Sequence, residues 1–277
     1  MDDLERQSAE ALPNLKQFCR ELLSLTRTFD LQDHDLTKKD HFKFVLIIYL
    51  YRQCSHMNAV LKLENHRDST LIVRSMLEGL LQLIWMANDP TNRAYRWRLF
   101  SYVHDWRVTL ERRKMGIKLD AEHLKRIKSA LVEHGIQFVT KKKQKTIDLK
   151  KELDAWKNPF VKSWFGMTIS ELANHKDVQG STLYNSNYSF FSRIHHWDTG
   201  SFQSVIERNG NKISYLPASS QELATSFATA FQCLFQTAVL VNTEFGLTYC
   251  NGLNDLRHRY AMSVIGIQPP EDLIEGE

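Results

Sequence analysis

The stretch Leu71-Ile72-Val73-Arg74-Ser75-Met76-Leu77-Glu78-Gly79-Leu80-Leu81-Gln82-Leu83-Ile84-Trp85 decides the fold. At 100° per residue its apolar side chains reach nearly every face, so the spacing predicts a helix buried among other helices. Asp68 supplies an N-cap, and the helix is expected from Ser69 to about Ala87. Arg74 and Glu78 are four residues apart and share one face. Charges inside such a run argue against a lipid-facing span. Buried among leucines they cost several kcal/mol each unless paired and further hydrogen-bonded. The pair therefore reads either as a structural ion pair pinning helix packing or as the polar floor of a pocket.

Working outward, the same periodicity recurs on both sides. Leu15, Phe18, Cys19, Leu22 and Leu23 form an apolar stripe within Leu12 to about Phe29. A second helix is expected after a Thr37 cap, running to about Leu63 with an apolar centre at Phe44 to Leu50. Asp89-Pro90 reads as cap and first helical residue of a fourth helix ending near Met115, before Gly116. Asp120 and Gly135 bracket a fifth, and Thr168-Ile169-Ser170-Glu171 fits a capping box. Helical spacing returns from Thr182 to Trp197. Ser204–Glu207 and Lys212–Tyr215 flank Arg208-Asn209-Gly210-Asn211, a hairpin signal. A long helix is then expected from about Glu222 to Phe245, with a shorter one after Asn251.

The fold class expected is all-α, a helical bundle with one small β-hairpin near residues 204–215. One helical domain over 1–267 and a frayed acidic tail over 268–277 are the economical division. Composition agrees: 43% apolar and 25% charged residues describe a globular chain, and 11 Gly with 6 Pro leave long elements uninterrupted. The net charge of +4 permits a nucleic-acid partner without requiring one. Cys19, Cys54, Cys233 and Cys250 are dispersed, with no zinc spacing, and read as buried thiols in a reducing compartment. The first residues carry no signal-peptide pattern, so a cytoplasmic location is expected, with no membrane span.

Three groups of polar residues need an explanation besides Arg74 and Glu78. Tyr188, Ser192 and His196 recur every four residues and would form one polar stripe of phenol, hydroxyl and imidazole on a helix. That stripe serves either to satisfy a buried ion pair or to handle protons. Ser192 lacks the glycine-rich elbow of a hydrolase nucleophile, and adjacent His195 and His196 point apart, so no metal site is expected. Lys141, Lys142, Lys143 and Lys145 form a solvated run or a grip on a phosphate backbone. Arg98 and His104 flank five residues on the fourth helix, where a solvated or packing role would account for both. No P-loop, dinucleotide fingerprint or paired-carboxylate pattern is present, and no cofactor is expected.

The order Arg74/Glu78, Asp89-Pro90 with Arg93, then Tyr188/Ser192/His196 resembles an uncharacterised bacterial all-α family, a domain of unknown function, over roughly residues 40 to 245. The helical layout is similar, more distantly, to the HEPN group of nucleotide-binding and RNA-cleaving domains, many of them toxins or antiviral effectors. HEPN ribonucleases carry an Arg-x4–6-His motif whose Arg and His from two protomers cut RNA without metal. Arg98-Leu99-Phe100-Ser101-Tyr102-Val103-His104 matches that motif, whereas the stripe near His196 departs from it, its nearest upstream arginine being Arg193. The resemblance implies a metal-independent endoribonuclease of a defence or toxin system, with Arg98 and His104 catalytic. It also implies RNA as partner and a homodimer or an operon-encoded partner protein. The rival expectation is a non-catalytic module in which Arg74, Glu78, Tyr188, Ser192 and His196 recognise a ligand or partner, or serve only to specify the fold.

Overall fold

The computed structural model describes residues 3–29, 31, 40–188, 190–192, 206–209 and 212–265. Its elements are α1 (Asp3–Arg27), α2 (His41–Lys62), α3 (Ser69–Ala87), α4 (Pro90–Lys114), α5 (Ala121–His134), α6 (Lys141–Gln144), α7 (Leu149–Asp154), α8 (Ile169–Ala173) and α9 (Ser181–Leu183). They continue with β1 (Ile206–Asn209), β2 (Lys212–Tyr215), α10 (Ser220–Phe245) and α11 (Cys250–Tyr260). The chain is therefore all-α with one antiparallel hairpin. It divides into two compact units, one formed by Met1–Asn88 with Leu172–Glu277 and the other by Asp89–Glu171.

In the first unit α10 packs against α1, α2 and α3. Leu15, Phe18, Cys19, Leu22 and Leu23 of α1 are buried, as their spacing predicts. Burying side chains of this kind stabilises by about 1.5–3 kcal/mol each. Phe18 meets Phe231 and Tyr260 edge-on, while Phe231 and Tyr260 stack at 4.1 Å. α3 and α10 are long and apolar enough to cross a bilayer, but about half of each apolar stretch is buried inside this unit.

The fully buried ion pair is not on α3. Arg67 donates from Nε and Nη2 to Oε2 of Glu222 at 3.1 and 3.0 Å, with side chains only 7% and 8% exposed. The same oxygen accepts from the Ser219 amide at 3.0 Å, while Ser219 Oγ accepts from the Glu222 amide at 3.1 Å, a complete capping box. Glu5 of α1 accepts from the amides of Ser220 and Gln221. The first three amides of α10 are thereby satisfied, although helix geometry alone leaves them without partners. The Ser220 amide holds the Glu5 carboxyl below its ordinary range. At the other end Gly246, at φ 61°, closes α10 in the left-handed conformation.

Several boundaries differ from the sequence reading. α1 begins at Asp3 and continues through Pro13 rather than starting at Leu12, because Glu5 is anchored to α10. Asp40 caps α2 by accepting from the Lys43 amide at 2.9 Å; Thr37 lies outside the described residues, as do His196 and the tail 268–277. The hairpin pairs Ile206 with Tyr215 and Asn209 with Lys212, so pairing extends to Asn209, two residues beyond the expected end of β1; Ser204 and Val205 lie outside the described residues. Cys19 and Cys233 are buried and Cys54 half-buried, but Cys250 is exposed, unlike the four buried thiols anticipated. Its position at the start of α11 turns it outward.

The second unit is held by polar staples. Arg96 donates from Nε to the Trp164 carbonyl at 2.7 Å and from Nη2 to the Gln137 carbonyl at 3.0 Å. Arg107 donates to the carbonyls of Val161 and Lys162, and the Trp106 indole to that of Lys157 at 2.9 Å. Loop carbonyls over residues 157–164 that would otherwise lack partners are satisfied in this way. α7 ends in a Schellman arrangement: the Lys157 amide donates to the Glu152 carbonyl and the Trp156 amide to that of Leu153. Trp156 holds the left-handed position, at φ 57°, where glycine is the usual occupant. A bulky residue there costs about 1–2 kcal/mol.

Removing one member of the Arg67–Glu222 pair leaves a buried charge unanswered. Arg67→Met is expected to lower stability by about 3–5 kcal/mol. Arg67→Met with Glu222→Leu should lose less than the single change, both measured by urea unfolding.

Candidate functional site

Arg74, Glu78 and Tyr188 form one hydrogen-bonded chain. Arg74 Nη2 donates to the Tyr188 hydroxyl at 2.9 Å, and that hydroxyl donates to Glu78 Oε1 at 2.8 Å. Arg74 Nε lies 3.3 Å from Glu78 Oε1, and the guanidinium sits 4.9 Å from the centre of the Tyr188 ring. Tyr184 stacks on Tyr188 at 4.7 Å. The i, i+4 spacing on α3 sets the two charges side by side, and the turn Tyr184–Tyr188 brings the phenol across them.

The ion pair is less deeply placed than the composition of α3 suggests, with Arg74 and Glu78 side chains 17% and 32% exposed. Leu71, Arg74, Ser75, Glu78 and Gln82 form the less buried stripe of α3, opposite Val73, Met76, Leu77, Leu80 and Leu83. Tyr49 of α2 extends the polar stripe by donating to Gln82 Oε1 at 3.3 Å. Nearby, buried Gln53 of α2 donates to the Met76 carbonyl at 2.9 Å. Ser192 lies four residues beyond Tyr188 and is half-buried. The structure thus gathers three of the five residues assigned to this polar group, Arg74, Glu78 and Tyr188.

Burial pushes the Tyr188 phenol up to about 12, and its hydrogen bond to Glu78 acts in the same direction. At neutral pH the phenol is a donor to the carboxylate and an acceptor from the guanidinium. It links the two charges but is no base. The group can hold a ligand through Arg74 and Glu78, which retain exposure, while Tyr188 fixes their geometry.

The second unit holds the other candidates. Residues 89–171 contain nineteen Lys and Arg against ten Asp and Glu, a net charge of +9, which leaves −5 for the rest of the chain. Fourteen of the nineteen are exposed, among them Lys141, Lys142, Lys143 and Lys145 on and beside the single turn of α6. Arg98 and His104 both lie on α4, Arg98 half-buried and His104 exposed with its ring edge-on to Phe100 at 5.2 Å. Six residues on a helix separate them by about 120° around the axis and about 9 Å along it. They flank the solvent side of α4, with exposed Ser101 between them. Arg96 and Arg107 are spoken for by loop carbonyls, and burial depresses the pKa of both. No His, Cys, Asp and Glu cluster suited to a metal occurs among the described residues.

Sequence reasoning missed Arg67, Glu222, Trp156 and Arg113. Arg67 precedes α3 and Glu222 sits three residues after the Ser219 cap, so each was visible as a local signal, but not their pairing. The left-handed Trp156 leaves no mark in sequence.

A family model described as a family of unknown function, DUF5677, matches residues 43–213. No curated protein and no solved structure matches the chain.

Spectrophotometric titration isolates the phenol described above. The difference between the native protein and Tyr188→Phe is expected to show one tyrosine ionising near pH 12 rather than near 10. A folded pKa raised above the unfolded one contributes stability that is complete below pH 10 and lost as pH climbs towards 12. Tyr188→Phe should therefore flatten the decline in melting temperature over that interval.

Proposed function

For a chain that belongs to DUF5677, a family of unknown function, we propose action on RNA: a HEPN-like defence or toxin effector of the bacterial cytoplasm that cleaves RNA without metal. The observation that carries this reading is the segregation of charge, +9 within 89–171 and −5 elsewhere. A polyanion is the partner that such a field favours, through phosphate contacts and release of condensed counterions. Lys141, Lys142, Lys143 and Lys145 supply exposed point charges for the backbone. His104 takes the 2′-OH proton as that oxygen attacks phosphorus, and Arg98 stabilises the charged phosphorane. The P–O5′ bond then breaks, with a proton from the imidazolium or water going to the leaving 5′-oxygen, which leaves a 2′,3′-cyclic phosphate. Their wide separation on α4 suits a pair completed between two copies of the chain, a homodimer. Capture by an operon-encoded partner protein would be the alternative assembly.

Purified protein is expected to cut single-stranded RNA in EDTA. His104→Ala should reduce the rate by about 10²–10⁴-fold while circular dichroism stays unchanged. Full activity in His104→Ala sinks the catalytic assignment. Replacing Lys141, Lys142, Lys143 and Lys145 with Ala should lower the slope of log affinity against log salt by about three.

A second reading rests on the Arg74–Tyr188–Glu78 chain, whose charged members remain partly exposed. It makes the first unit a recognition module for a small ligand or partner, with Ser192 and His196 as further members. A thermal-shift screen with nucleotides separates the two readings, since a ligand of the native state raises its apparent stability. A shift that Tyr188→Phe removes and His104→Ala keeps favours the second.

A further inference from the structure

Trp156 is the most unusual residue of the basic unit. Its backbone takes the left-handed conformation that closes α7, although the position asks only for glycine. Strain of this kind persists where surrounding structure holds it, and it clusters at binding sites. What surrounds the indole is informative. Trp106, fully buried, stacks with it at 5.6 Å and 17°. The Arg113 guanidinium lies over the ring at 4.0 Å and the Lys128 ammonium at 5.1 Å. A tryptophan serving only to fill a core is covered by apolar side chains. This one is half-buried and carries two cations, and Arg113 itself is exposed.

An open groove of about 620 Å³ lies between α5 and α7, a size typical of ligand sites. Its walls are largely apolar, with Leu124, Val132 and Leu153, and its charged lining residues are Lys125, Lys128 and Lys150 with Glu133 and Asp154. Lys128 belongs both to the groove and to the tryptophan pair, where Asp154 holds its ammonium at 2.8 Å. An indole under an exposed guanidinium, near a groove that carries Lys125 and Lys150, matches the two needs of an unpaired nucleotide, a flat surface for the base and positive charge for the phosphate.

We infer that Trp156 and Arg113 form a stacking subsite for an unpaired nucleobase of bound single-stranded RNA. The inference rests on the RNA reading above and deepens it. The base takes the guanidinium's place on the indole, and Arg113, freed but still charged, pairs with the adjoining phosphate. Lys125 and Lys150 guide the strand along the groove. Double-stranded RNA, with its bases already stacked, gains nothing from the subsite.

The test uses the full chain, a twelve-residue oligoadenylate and a blunt RNA duplex of the same length. Trp156→Gly suits the backbone, since glycine favours the left-handed position. Trp156→Asn, also tolerant of that conformation, serves as a second variant should the first not fold. Each is expected to weaken oligoadenylate binding by about 5- to 100-fold, with duplex affinity and salt slope unchanged. Trp156→Tyr, which keeps a ring, should retain most of the affinity. Arg113→Ala should reduce the salt slope by about one. Unchanged oligoadenylate affinity in a folded Trp156→Gly or Trp156→Asn protein overturns the subsite alone, as does an equal loss on the duplex. If the native protein binds neither RNA, the subsite and the RNA reading both fall.

Discussion

A single carboxylate, that of Glu222, gathers the constraints on which the first unit depends. One of its oxygens receives two hydrogen bonds from Arg67 and one from the Ser219 amide, almost entirely out of water. An arginine buried without such a partner would carry a penalty of several kcal/mol. The pair therefore fixes where α10 starts relative to the segment leading into α3. Glu5 does the same for α1 by occupying the next two amides of α10. Three helices distant in sequence are registered at one helix terminus before any apolar side chain is considered. Their leucines and phenylalanines then interlock in a register already chosen.

Local signals carried much of this architecture and distant ones very little. α3 runs from Ser69 to Ala87 as its apolar spacing and the Asp89-Pro90 break imply, although neither Asp68 nor Asp89 makes the side-chain capping bond expected of it. The Thr168/Glu171 box forms as its spacing implies, with reciprocal bonds of 2.7 and 3.2 Å. The start of α1 was illegible, since the partner of Glu5 lies 215 residues away. The depth of Arg74 and Glu78 was overestimated for a related reason. A helix apolar in composition still has a least-buried stripe, and only packing decides which stripe that is. The meeting of Arg74, Glu78 and Tyr188 was legible as a need: half-buried charges want polar company, and the next phenol on a helical turn was the available donor.

The two units place different demands on their arginines. In the first, Arg67 and Arg74 face carboxylates and a phenol, so their charge is answered inside the protein. In the second, Arg96 and Arg107 face carbonyl oxygens, which satisfy their hydrogen bonds without cancelling their charge. A loop built on neutral acceptors leaves the positive field of residues 89–171 largely intact. That difference, invisible in a whole-chain net charge of +4, is what makes one unit a candidate for polyanions.

The same contrast explains why strain is tolerated at Trp156. Glycine there would relieve the backbone, yet it would uncover Trp106 and leave Arg113 and Lys128 without the ring they lie over. Cations over an indole gain from its quadrupole what they lose in hydration, on the order of 0.5–2 kcal/mol each. Such gains are comparable to the cost of the left-handed backbone. The indole thus orders Arg113, which a long flexible side chain would otherwise leave dispersed, without neutralising it, whereas Lys128 is also paired with Asp154. A carboxylate in place of the ring would order Arg113 equally well but would cancel its positive charge.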